Sequence, residues 1–231
     1  MSVRLQTVIA CVHYDDFLAL TLLHNLPLLD AATVLTSPHD AATIALANRL
    51  GVPLFLTEAW HTGGPLNKAL ALNEWLTHAS AMAPDAWFMS LDADILLFTP
   101  VPECLPQLDP TCLYGPRRRM CDTPQALQDL LHGRRSLQDL PLEPPITVNL
   151  KMGEAGAEVA VNPAALSGYF QLWHQAAGEP RLFQPTGTAQ TYDVLFGLQW
   201  PEQQRVLLDW EVVHLGPTQV NWSGRQSERW A

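Results

Sequence analysis

The stretch SLDADILL, residues 90–97, sets two aspartates, Asp92 and Asp94, one residue apart where an apolar run is ending. No lysine or arginine occurs in the ten residues that follow. Two carboxylates so close repel each other, and a shared proton, a hydrogen-bonded turn or a bound cation relieves them. Side chains alternate along a strand, so an extended chain turns both carboxylates to one side. Divalent-ion chemistry with hard oxygen ligands is what such a pair could support. Cationic partners are few. Only two lysines, Lys68 and Lys151, stand against eleven arginines, three of which form the run Arg117, Arg118 and Arg119.

The elements that must carry these groups read as strands alternating with helices. Thr7–His13 is a compact apolar run, and Asp15–Leu29 has clustered leucines of helical character. ATVLTSP, residues 32–38, reads as a second strand, and Asp40 can cap a helix over Ala41–Leu50 that stops at Gly51. VPLFLTE, residues 52–58, is a third strand, and Gly63, Gly64 and Pro65 open a helix running to about Ala79. AWFMSLDADILL, residues 86–97, lacks both helical period and alternation, as a strand buried on both faces does. This order predicts an α/β sheet with right-handed crossovers. In such sheets ligands bind beyond the carboxyl ends of the strands, where Cys11, His13, Tyr14, Ser37 and the aspartate pair would gather.

The second half is less regular. CLYGPRRRM, residues 112–120, reads as a short strand, followed by a helix over Pro124–Leu131 inside an exposed excursion near 120–147. Residues 156–178 read as a strand and then a helix from about Pro163. YDVLFGLQW, residues 192–200, is expected to be helical, with Asp193 able to cap it, and residues 205–216 to be extended.

With 231 residues, 48% hydrophobic and 16% charged, the expectation is one domain, residues 1–100 forming one half and 101–231 the other. A formal net charge of -10 argues against non-specific nucleic-acid binding by the body of the protein. No segment approaches a membrane span, the N-terminus reads straight into a strand, and the four cysteines lack zinc-type spacing. These features predict a cytoplasmic protein without disulfides.

An Asp-x-Asp closing the fourth strand of such a sheet resembles the glycosyltransferases of the GT-A fold. The resemblance implies a Rossmann-like, mixed and mostly parallel sheet flanked by helices. It also implies a Mn2+ or Mg2+ ion that binds the diphosphate of a nucleotide sugar and offsets the charge of the leaving group. GGPLNKALALNEWL, residues 63–76, is similar to the helix before the aspartate motif in these enzymes, which would bring Asn67 and Lys68 to the donor. VVHLGPTQVNWSGR, residues 212–225, loosely resembles the C-terminal histidine element of glycogenin-like transferases, although the spacing differs and no Lys-Pro pair follows. That resemblance makes His214 a third metal ligand beside Asp92 and Asp94, a set that suits manganese. It also brings Asn221, Trp222 and Arg225 toward phosphate or sugar. Arg117 joins Lys68 as a counter-charge, and Asp193 takes the place of a late acidic residue, the base of inverting enzymes.

The expected activity is transfer of a sugar, most simply from a UDP-linked donor, to a hydroxyl acceptor: a glycan, a lipid head group, a protein or a hydroxylated DNA base. Two other readings fit parts of the chain. One is a non-catalytic nucleotide-sugar or glycan binder. The other is a sugar-nucleotidyltransferase, against which the glycine-free ACVHYDDF after the first strand argues.

Overall fold

The computed structural model describes residues 4–143, 149–152, 157–160, 168–176, 180–189, 191–217, 221 and 223–230. Strands β1 (Leu5–Ala10), β2 (Ala32–Thr36), β3 (Leu54–Leu56) and β4 (Ala86–Asp92) alternate with helices α1 (Asp15–Asn25), α2 (Ala41–Leu50) and α3 (Lys68–Met82). After β4 come β5 (Ile95–Leu96), α4 (Val101–Cys104), β6 (Leu113–Cys121), α5 (Pro124–Leu131), β7 (Asn149–Met152) and β8 (Ala157–Ala160). The chain continues through β9 (Phe170–Gln175), α6 (Tyr192–Gly197) and β10 (Arg205–Leu215).

Eight strands form one sheet in the order β3-β2-β1-β4-β9-β6-β10-β5, and β7 pairs with β8 apart from it. Strands β1 to β4 are mutually parallel and β10 is parallel to β6, while β9 and β5 run against their neighbours. The sheet is mixed and mostly parallel, flanked by helices, as the sequence predicts. Burial on both faces explains the unpatterned apolar runs. Met89 and Leu91 of β4 pack with Leu18 and Leu22 of α1 on one face. Phe88 packs with Leu72, Trp75 and Leu76 of α3 on the other. At roughly 1.5–3 kcal/mol for each large side chain fully buried, these two layers hold the strand ends in place.

Three expectations are corrected. The α3 helix begins at Lys68, because the Asn67 side chain accepts from the Leu70 N–H and caps it there. The glycine stretch before it instead lies against Gly187, whose carbonyl would stand 2.0 Å from a Cβ at Gly64. The run 86–97 is two strands, since the chain turns after Asp92 and β5 joins β10 at the far edge of the sheet. Finally, residues 170–175 form a strand where a helix is predicted. Phe170 and Leu172 enter one core layer and Trp173 the other, so β9 shows neither a period of two nor one of 3.6.

Candidate active site

The carboxyl ends of β1, β2 and β4 converge, with Ala10 and Asp92 opposite each other in the ladder. Beyond β1 the backbone at His13 takes φ +62°, a left-handed conformation that costs a non-glycine residue of order 1–3 kcal/mol. Two contacts hold it there. The His13 N–H donates to Asp40 Oδ2 at 2.6 Å, and its carbonyl accepts from Arg225 Nη1 at 2.9 Å. Asp40 also caps α2, accepting from Thr43 N and from Thr43 Oγ1. Cys11 turns inward to Thr43 Oγ1 at 3.3 Å, and burial pushes its thiol pKa far up. Ser37 is buried and accepts from the His39 N–H. Of the residues expected at these two strand ends, His13 is the exposed one. Tyr14 stands beside the aspartate pair: burial and the charges of Asp94 and Asp92 raise its phenol pKa.

The two aspartates face different partners. Asp92 Oδ1 accepts from the Lys68 ammonium. Lys68 is only 6% exposed, lies 3.5 Å from the Gly168 carbonyl and sits 5.2 Å over the centre of the Tyr192 ring. Asp94 lies past the turn, 8% exposed, with Oδ2 3.5 Å from His214 Nε2. Its Oδ1 is buried with no hydrogen-bond partner among the described residues. His214 Nδ1 is 3.2 Å from the Gly216 carbonyl, which can only accept, so this nitrogen carries the proton. Burial, with the nearby Arg118 charge, lowers the imidazole pKa to about 4 and keeps the ring neutral. Nε2 therefore points a lone pair at a carboxylate oxygen. Burial raises the Asp94 pKa to about 6 despite the Lys68 and Arg118 charges.

Two acceptors aimed at each other, one on a carboxylate whose other oxygen is unpartnered, ask for a cation between or beside them. Imidazole plus carboxylate is a fitting donor set for Mn2+. The three-residue set Asp92, Asp94 and His214 is not assembled. Among the described residues no three His, Cys, Asp or Glu side chains gather as metal ligands, and Asp92 is paired with Lys68.

Asp193 opens α6. Its Oδ2 accepts from Gly168 N at 2.5 Å and its Oδ1 from Val194 N at 2.8 Å, while burial raises its pKa. Gly168 thus joins Lys68 to Asp193. A Cβ there would stand 2.4 Å from the Tyr192 hydroxyl, so no other residue fits without displacing it.

Four other expected contacts are revised. Arg117 is exposed, and it is Arg118 that is buried near Asp94 and His214, paired with Glu143 and stacked 4.3 Å over Tyr169. Strand alternation decides this, and the register of β6 could not be read from the arginine run. Asn67 is spent on capping α3. Asn221 accepts from Gln226 N and Ser227 N, closing a turn of the tail. Arg225 makes a bidentate pair with Asp16, and Trp222 lies outside the described residues. The sequence does not single out Arg118, Gly168 and Tyr192 as site residues. Only their place in the folded chain, not a sequence signal, marks them.

Solved structures share this architecture. Glucosyl-3-phosphoglycerate synthase from Mycobacterium tuberculosis, in complex with Mn2+, UDP-glucose and glycerol 3-phosphate, matches with a TM-score of 0.53 and 18% identity. The match covers 94% of this chain and 73% of that one. The mannosyltransferase PcManGT from Pyrobaculum calidifontis, in complex with GDP-Man and Mn2+, matches with a TM-score of 0.52 and 15% identity. That match covers 94% of this chain and 58% of the mannosyltransferase, so the chain spans less than two thirds of it. The fold is that of the GT-A glycosyltransferases. At these identities the likeness establishes the GT-A architecture, and the chemistry rests on the residues described above. No protein-family model and no curated protein sequence matches the chain. Among the described residues no helix of this GT-A fold is long and apolar enough to cross a membrane.

Proposed function

We propose that the protein is a divalent-metal-dependent glycosyltransferase that moves a sugar from a nucleoside-diphosphate sugar to a hydroxyl acceptor. One observation carries this reading: the buried Asp94 and the neutral His214 present opposed acceptor atoms at the carboxyl ends of the strands. Two fold neighbours are in complex with Mn2+ and UDP-glucose or GDP-Man, which supports the same donor class here. When bound, the ion would neutralise charge on the leaving diphosphate. Asp94 and His214 would hold it, with His214 kept in its neutral form by burial. Lys68 places a positive charge beside them. His13 and Tyr14 line the end of β1, where the nucleoside would sit.

Asp193 is the base for the acceptor hydroxyl. Each of its oxygens accepts one backbone N–H and keeps a further lone pair. Burial raises its pKa toward the range where a carboxylate accepts protons effectively. Asp193→Asn is expected to lower turnover by about 10²-fold or more while leaving nucleotide affinity unchanged, as steady-state kinetics and calorimetry would show.

The reading is tested by thermal stability with UDP, GDP, TDP and CDP, each with and without Mn2+, on the wild type and Asp94→Asn. A Mn2+-dependent stabilisation by one nucleotide that vanishes in the variant is the expected result. A folded wild type that no nucleotide stabilises overturns it.

A further inference from the structure

The two carboxylates of the Asp-x-Asp pair meet different side chains, one a cation and the other a neutral imidazole. Asp92 closes β4 on the face of Phe88 and Ser90, where Lys68, the first residue of α3, meets it. Lys68 cannot swing aside freely, since the buried ammonium is held by groups from β4, from Gly168 before β9, and from Tyr192 on α6. Asp94 sits past the turn and meets His214 instead.

We propose that Lys68 is a positioning residue that reserves Asp92 as its own counter-ion, leaving the divalent ion with Asp94 and His214 and thereby making metal binding depend on the donor's diphosphate. This inference rests on the donor-site reading above. A site with one carboxylate and one imidazole is poor in negative charge. Phosphate oxygens must supply the rest of the coordination, so ion and nucleoside diphosphate bind as a unit. An open pair of carboxylates would instead take up the ion by itself. Lys68 thus acts through Asp92 and not as a ligand of the ion.

The test measures Mn2+ binding from the free-ion EPR signal, for Mn2+ alone and with UDP or GDP. Wild type should bind Mn2+ weakly alone and at least tenfold more tightly with one nucleotide. Lys68→Met frees Asp92 and should tighten Mn2+ alone about tenfold, at the lower end of the 10–100-fold range of changes beside a metal site. Its nucleotide dependence should shrink in proportion. Asp92→Asn should stay within about threefold of wild type, and Asp94→Asn should lose at least tenfold. Lys68→Met alone leaves the half-buried Asp92 without its partner, so the double variant Lys68→Met/Asp92→Asn serves as the charge-balanced control and should return to wild-type affinity. Lys68→Arg should keep wild-type behaviour.

If Asp92→Asn weakens Mn2+ as much as Asp94→Asn does, Asp92 is a ligand. The proposal then falls while the donor-site reading stands. A Lys68→Met protein that binds Mn2+ no better than wild type overturns the proposal as well. If Mn2+ binds no protein with either nucleotide, the donor-site reading fails and takes the proposal with it.

Discussion

Asp94→Asn is expected to make the protein more stable at neutral pH while abolishing Mn2+-dependent nucleotide binding. The Asp94 carboxyl, ordinarily near 3.8, is raised by burial to about 6 in the folded protein. A raised carboxylate pKa means that folding favours the neutral form. Its effect on stability is therefore lost progressively as pH rises from about 4 through about 6. Above that range the buried charge costs about 3 kcal/mol, at roughly 1.4 kcal/mol per pH unit. His214 carries the opposite sign. Its pKa falls from 6.5 to about 4, so the fold gains stability as pH rises between those values. The two slopes largely cancel in the wild type between pH 4 and 6.

In Asp94→Asn only the histidine slope remains, and the amide can donate to the His214 Nε2 lone pair. Urea denaturation should show wild type and variant nearly equal at pH 4.5 and the variant about 1–3 kcal/mol more stable at pH 7.5. The Mn2+-dependent nucleotide shift should be absent from the variant throughout. A variant less stable than wild type at pH 7.5 would mean that Asp94 is held by partners stronger than those described.

Arg225→Ala is expected to be the most destabilising single change in the tail. Arg225 and Asp16 are both nearly buried, with side-chain exposures of 8% and 7%. The guanidinium makes the bidentate pair, donates to the carbonyls of His13, Ser227 and Glu228, and lies over the Tyr14 and Phe17 rings. Removing one partner of a buried pair leaves the other charge uncompensated and costs about 3–5 kcal/mol. Burial acts to raise the Asp16 pKa, but the hydrogen bonds and charge of Arg225 outweigh it and hold the pKa below the usual range. The pair's contribution is therefore present above about pH 4 and lost as pH falls. The deficit of Arg225→Ala should be largest at pH 7.5 and shrink toward pH 4, where Asp16 takes up a proton. Arg225→Lys should recover little, because an ammonium cannot make the two-pronged contact or the ring stack. A deficit under 1 kcal/mol at pH 7.5, measured by urea denaturation, would show that the tail contributes nothing to holding the end of β1.

The sheet and the site differ in how far they could be read from residues alone. The α2 helix is legible to the residue, since Asp40 caps it and Gly51 ends it in a left-handed turn. The α5 helix over Pro124–Leu131 is legible for the same local reasons, with Thr123 as its cap. Strand β9 is not, because burial on both faces removes the alternation that would mark it. The choice between Arg117 and Arg118 depends on register, which is set by β9 and β10 and not by the arginine run. Lys68 and Asp92 are each conspicuous in the sequence, yet their pairing depends on the turn after Asp92, which separates that carboxylate from Asp94. Arg225 looks like a phosphate ligand until Asp16, 209 residues away, takes its guanidinium.

That last separation bears on how the molecule assembles. Contacts between segments so far apart carry a large loop-closure cost and form late. Strands β1, β2 and β4 can pair with their neighbours long before Arg225, Arg229 and Trp230 reach the start of α1. The strained turn at His13 is left half-held until they do. The same contacts should be the first to open when the native protein fluctuates. In hydrogen exchange the Trp230 amide, which donates to Asp16, should therefore exchange well before the amides of β1 and β4. The turn at the end of β1 and the tail that holds it are then a separable cooperative unit, weaker than the sheet that carries them.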